Sequence, residues 1–165
     1  APGKGSCFSI TVPRCTAKDV KADTYDYQTF HKRWLEGIQI LCVDDDREIL
    51  NSTQTVLERW GAHVTCLQNA NLFDELTEDA QDFDVVLMDY QLNDGHKGLD
   101  LLKKYQRKDD SFLGVIVTAE QDPQLEEETL LLGFKYLAKP VEPAKLRATL
   151  QAAFIDRKLA AEAGP

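Results

Sequence analysis

The chain has 165 residues, 43% apolar and 28% charged, which suits one ordinary globular domain with some extra length. Its formal net charge of −9, with scattered Lys and Arg, argues against a nucleic-acid binder that works through phosphate contacts. No apolar run approaches the ~18 residues of a membrane span, and the N-terminus lacks the basic-then-apolar pattern of a signal peptide.

Taken in chain order, residues 1–37 stand apart from the rest of the chain. The abrupt start suggests a piece of a longer protein. "GSCFSITVP" (5–13) alternates like one lone strand, residues 16–24 are polar and linker-like, and "YDYQTFHKRWLEG" (25–37) sets Tyr27, Phe30 and Trp34 on one helical face. From Ile38 the pattern is regular. "IQILCV" (38–43) predicts a buried strand, and Ile49, Leu50, Val56, Leu57 and Trp60 predict a helix that Gly61 closes. Strands are expected at 63–67, 83–89, 112–119 and 134–138, separated by helices at 71–80, 97–107 and 123–133. A last helix over 142–161 has Pro143 in its first turn, where a missing N–H costs nothing, and fades near Leu159.

Five strand-then-helix units, with continuous rather than alternating apolar strands, imply a parallel sheet covered on both faces. Right-handed crossovers make it an α/β fold, a doubly wound five-stranded parallel sheet. Cys42 and Cys66 fall inside apolar strands, where free Cys acts as a small hydrophobe. With no CxxC pair anywhere, the four cysteines read as reduced and structural, and the protein as cytoplasmic. His31, His63 and His96 read as ordinary surface or packing residues.

Ligands of open α/β sheets bind outside the carboxyl ends of the strands. There the first strand delivers Asp44, Asp45 and Asp46, the third Asp89, the fourth Thr118 and the fifth Lys139 with Pro140. A turn needs one Asp as a helix cap, and Asp46 suffices for that. Carboxylates converging from two strands repel unless a cation sits among them, and all-oxygen ligands point to Mg²⁺ or Mn²⁺. A carboxylate beside such an ion, with an ammonium and a hydroxyl in reach, suits attack on a phosphoryl group.

With "CVDDD", "VVLMDYQL", "VIVTAE" and "YLAKP" in this order, residues 38–155 resemble the response-regulator receiver domain of two-component signalling. The resemblance implies a flavodoxin-like receiver fold with Asp89 as phosphoacceptor. Asp44, Asp45, Asp89 and the backbone carbonyl of Gln91 would hold the metal. Thr118 would be the switch hydroxyl, Tyr136 the switch aromatic, and Lys139 the phosphoryl contact preceding a cis Pro140. Gln91 and Glu120 would flank the path of the hydrolytic water and tune dephosphorylation. The loop before Gly98 departs from the family: it lacks the common proline and is a residue longer. A haloacid-dehalogenase-type phosphatase would need an acid two residues after the nucleophile, where Gln91 stands. A phosphorylation-independent interaction domain would not need the complete set of Asp44, Asp45, Asp89, Thr118 and Lys139.

"GKGSCFSITVPR" (3–14) resembles the last glycine-containing turn and strand of a histidine-kinase ATPase domain. The implied layout is an ATPase remnant over 1–15, a linker with a short aromatic helix over 16–37, a receiver over 38–158 and a tail over 159–165. That is the C-terminal end of a bacterial hybrid histidine kinase. The phosphohistidine donor would then lie in the same parent chain, and a histidine phosphotransfer protein would be the next acceptor.

Overall fold

A computed structural model describes residues 33–78, 83–93, 95–106 and 111–163. The strand expected at 5–13 and the Tyr27 and Phe30 part of the aromatic helix lie outside these residues. Ten elements alternate through the described chain: β1 (Gln39–Val43), α1 (Arg47–Arg59), β2 (His63–Leu67), α2 (Ala70–Glu78), β3 (Val85–Asp89), α3 (Gly98–Gln106), β4 (Leu113–Thr118), α4 (Pro123–Leu131), β5 (Lys135–Ala138) and α5 (Pro143–Ala163). The strands form one parallel sheet in the order β2-β1-β3-β4-β5. This is the doubly wound fold that the strand pattern predicts. Element ends differ from the sequence reading by a residue or two, and α5 continues to Ala163, beyond the stop expected near Leu159.

Two-sided burial explains the continuous apolar strands. Along β1, Leu41 and Val43 join one core with Phe73 of α2, Leu102 and Tyr105 of α3 and Leu125 of α4. Ile40 and Cys42 point the other way, into a second core with Leu50 and Leu57 of α1 and Leu146 and Leu150 of α5. Every residue of β3 and β4 is buried. At about 25 cal/mol per Å² of apolar area removed from water, these two layers are the main source of stability.

The helix ends follow local chemistry. Asp46 caps α1, its carboxylate accepting from the Glu48 and Ile49 N–H groups at 2.8 and 3.2 Å, and Asp122 caps α4 with Pro123 at the first position. Gly61 and Gly133 follow α1 and α4 with φ of 100° and 83°.

Packing against the sheet domain reaches back before Ile38. Leu35 is fully buried, and its N–H donates to the Trp60 carbonyl at 3.0 Å. Trp34 stacks obliquely on Trp60 and edge-on to Phe154, at centroid distances of 5.7 and 6.4 Å. Residues 34–37 form a turn rather than the end of a helix. Trp34 and Leu35 are drawn onto the α1–α5 corner because apolar area left there by Trp60 and Phe154 is removed from water.

The loop between β3 and α3 folds back on itself, with Gln91 bridging Lys97 in antiparallel fashion. It ends where Gly98 N–H donates to the Tyr90 carbonyl at 2.8 Å. A Cβ at Gly98 would lie 2.0 Å from the Asp89 carbonyl oxygen and 2.5 Å from Met88 Cγ. The bare backbone is therefore required for α3 to seat against the end of β3. Gly98→Ala is expected to lower stability by about 2 kcal/mol or more, in the overpacking range. Chemical denaturation would measure it, and a loss under about 0.5 kcal/mol, the scale of an ordinary surface change, would show that the approach is not tight.

Candidate functional site

The strand ends assemble the residues that the sequence singles out. Asp44 follows β1, Asp89 closes β3, Thr118 closes β4 and Lys139 follows β5. Lys139 N–H donates to the Thr118 carbonyl at 2.7 Å, prolonging the β4–β5 ladder to the lysine itself. The Lys139–Pro140 peptide is cis.

The Lys139 ammonium bridges two carboxylates, at 2.7 Å from Asp44 Oδ2 and 2.9 Å from Asp89 Oδ2. Asp44 Oδ1 accepts the Asp46 N–H at 2.9 Å, so one turn both caps α1 and orients a site carboxylate. Asp89 Oδ1 has a longer contact from the Gln91 N–H, 3.4 Å. Oxygen atoms of Asp44, Asp45 and Asp89 lie within 4.8 Å of one another. Three carboxylates and one ammonium sum to −3 + 1 = −2 within the cluster. The donors are all hard oxygens and the residual charge is that of a divalent cation's partner, so the residues fit Mg²⁺ or Mn²⁺.

Burial pushes the Asp89 carboxyl above the ordinary aspartate range, against the opposing pull of Lys139. For Lys139, burial favours the neutral amine, but its bonds to Asp44 and Asp89 outweigh that and raise its pKa, so it stays an ammonium. Tyr136 is raised too, first by burial and then by the charges of Glu126, Asp122 and Glu120.

An open cavity of ≈ 270 Å³ lies over the cluster, lined by Asp45, Asp89, Gln91, Thr118, Glu120 and Lys139 together with Leu92, Asn93 and Ala119. Gln91 and Glu120 join by a side-chain hydrogen bond across it. Glu120 also links the two switch candidates: its N–H donates to Thr118 Oγ1 at 3.0 Å, and its carbonyl accepts the Tyr136 hydroxyl at 2.6 Å. The structure thus brings together Asp44, Asp45, Asp89, Gln91, Thr118, Glu120 and Lys139, with Tyr136 joined through the Glu120 carbonyl. Sequence reasoning missed Asn93 and Ala119 as lining residues and the bridging of Asp44 by Lys139. A neutral loop residue and an alanine carry no signal beyond their positions.

Parallel strands covered on both faces, with an acidic cluster and one lysine at their carboxyl ends, define a doubly wound α/β domain with a polar site at the strand ends. The response regulator receiver domain family matches residues 40–151, and the chain belongs to that family. It is 33% identical over 113 residues to the two-component response regulator ARR10 of Arabidopsis thaliana, covering 67% of this chain and 20% of that protein. It is 29% identical over 124 residues to the transcriptional regulatory protein FixJ of Bradyrhizobium diazoefficiens, covering 74% of this chain and 60% of FixJ. The chain therefore spans less than two thirds of either relative. A CheY-like receiver domain structure from Methanospirillum hungatei is 28% identical with a TM-score of 0.68, over 74% of this chain and 98% of that one. Among the described residues, no helix is long and apolar enough to cross a membrane.

The raised Asp89 pKa has a signed consequence. The native state holds this proton more tightly than the unfolded chain, so ionised Asp89 counts against folding, and the cost grows as pH rises through the folded pKa. Asp89→Asn is therefore expected to raise the metal-free Tm by a few degrees at pH 7. The gain should disappear as pH falls below the unfolded aspartate value near ~3.9. Thermal melts in EDTA across pH would check it, and a lowered Tm at pH 7 would make the carboxylate structural.

Proposed function

We propose that the domain accepts a phosphoryl group on Asp89 from a phosphohistidine, in a reaction that depends on Mg²⁺ or Mn²⁺, and changes conformation in response. The observation that carries this reading is the Lys139 ammonium shared between Asp44 and Asp89, with Asp45 beside them. Asp44, Asp45, Asp89 and the Gln91 carbonyl would hold the cation. When bound, it supplies positive charge to the phosphoryl oxygens. An Asp89 oxygen attacks phosphorus while the phosphorus–nitrogen bond breaks and its electron pair leaves on the imidazole. Lys139 keeps its proton and neutralises an equatorial oxygen as it does a carboxylate now. The Thr118 hydroxyl turns from the Glu120 N–H to another phosphoryl oxygen.

The domain would catalyse only its own phosphorylation and dephosphorylation, with Gln91 and Glu120 across the mouth of the cavity setting access for water. The resemblance over 3–14 supports a parent chain that is a bacterial hybrid histidine kinase, with the ATPase remnant over 1–15 and the linker from 16. The donor histidine would then be in that chain, and a histidine phosphotransfer protein the next acceptor. The net charge of −9 supports output through a protein partner rather than nucleic acid. Free Cys42 and Cys66 support a cytoplasmic setting.

Incubation with acetyl phosphate and Mg²⁺ should add the mass of one phosphoryl group, and Asp89→Asn or EDTA should abolish it. A gain that survives either change would overturn the assignment. Asp45→Asn should weaken Mg²⁺ binding at least about tenfold, the effect of losing roughly 1.4 kcal/mol. Thr118→Ala should still accept the phosphoryl group yet lose the amide NMR shift changes around Tyr136. An unchanged response in that variant would refute the coupling.

A further inference from the structure

Two thiols outside the acidic site face each other across the sheet. Cys42 of β1 and Cys66 of β2 are register partners, and both pack into the core on the α1–α5 side, so their side chains share one face. Adjacent strands lie about 4.8 Å apart, inside the ~4.4–6.8 Å Cα separation of natural disulfides.

Their surroundings differ in a useful way. Cys42 is only 2% exposed, so an oxidant cannot reach it first. Cys66 is half-buried on the sheet's edge strand, with its thiol 3.7 Å from the Gln54 side-chain oxygen on α1. Of the two, Cys66 is therefore the thiol that an oxidant in solution meets first. A void of ≈ 30 Å³ borders Cys42 on the side of Asp44 and Asp89, leaving its sulfur room to change rotamer.

We propose that Cys42 and Cys66 are a redox pair, closed to a disulfide by a hydroperoxide, and that closure repositions Asp44 in the acidic site. The steps balance. The Cys66 thiolate attacks the terminal peroxide oxygen, forming a sulfenic acid and releasing an alcohol, or water from hydrogen peroxide. The Cys42 sulfur then attacks the Cys66 sulfur, the S–O bond breaks, and the departing hydroxide takes the Cys42 proton as water. Two thiols are oxidised by two electrons and one peroxide bond is reduced.

The link to the site is the ladder itself. Cys42 pairs with Cys66, Val43 with Leu67, and the Asp44 N–H then donates to the Leu67 carbonyl at 3.1 Å. A disulfide draws the two Cβ atoms to about 3.8 Å, closer than the strand spacing. The adjustment falls two residues before the carboxylate that Lys139 holds.

The test uses the full chain with Cys7→Ser and Cys15→Ser, leaving only this pair. After hydrogen peroxide and denaturing alkylation, intact mass should show a species lacking two hydrogens and taking up no iodoacetamide. Dithiothreitol should reverse it, and a tryptic peptide should join the two segments. Cys66→Ser should leave Cys42 reduced and alkylatable. Dimedone added during oxidation of the unsubstituted pair should trap Cys66 alone. Over-oxidation of Cys66 with Cys42 still free, linkage between molecules, or attack on Cys42 in the Cys66→Ser variant would overturn the pair. Amide NMR should show Asp44 and Asp46 shifted in the bridged form. Unshifted amides there would overturn the effect on the site.

Discussion

One ammonium shared by two carboxylates is the constraint on which the site depends. Two unit charges at 4 Å interact by about 4 kcal/mol at an effective dielectric near 20, and the Lys139 ammonium between the largely buried Asp44 and Asp89 carboxylates offsets their mutual repulsion. Lys139 reaches both because β5 lies beside β4, and its own N–H continues the β4–β5 ladder to the Thr118 carbonyl. The lysine is therefore placed by backbone hydrogen bonds, and its long side chain spans the remaining distance to β3 and β1. The strand order is what makes this reach possible.

The same constraint leaves the cluster unbalanced. Lys139 neutralises one charge of three, and the rest of the domain offsets the remainder with two apolar cores that lock the strand ends in place. Gly98 shows how closely the frame approaches the site, since its backbone lies against the Asp89 carbonyl. A site held under repulsion by a well-packed frame is prepared to bind charge, because the cost of collecting the carboxylates was met on folding.

Much of this was legible in the sequence. Continuous apolar runs ending in Asp44, Asp89, Thr118 and Lys139 pointed to the sheet type and the edge at which these residues meet, because parallel strands all run the same way. The Asp46 cap was a local signal of the same kind. The illegible part depends on packing between distant segments. Trp34 read as the end of a helical stripe with Tyr27 and Phe30, and only the corner made by Trp60 and Phe154 turns it onto the domain. Cys42 and Cys66 were each visible as strand residues, but the register that sets them side by side is fixed by the crossover and the core, not by any neighbouring residue. Lys139 was expected to contact a phosphoryl group. Its second partner, Asp44, comes from side-chain reach in three dimensions.

Under the proposed function, Glu120 is the residue through which this arrangement would gain a second state. Its N–H is satisfied by Thr118 Oγ1 and its carbonyl by the Tyr136 hydroxyl, while its side chain meets Gln91. Were the Thr118 hydroxyl to turn toward the acidic cluster, the Glu120 N–H would lose its acceptor, and a hydrogen bond of this kind is worth about 0.5–1.5 kcal/mol net. Shifting the peptide to find water or another partner relieves that cost, but it also displaces the carbonyl that holds Tyr136. The aromatic ring is then free to repack against the α4 side of the sheet, where it already sits partly buried. On that reading, movement of one hydroxyl at the site would be converted into a different surface beside β5, through a single peptide unit. The energies involved, one hydrogen bond each, are small enough for a bound anion to decide between the two arrangements.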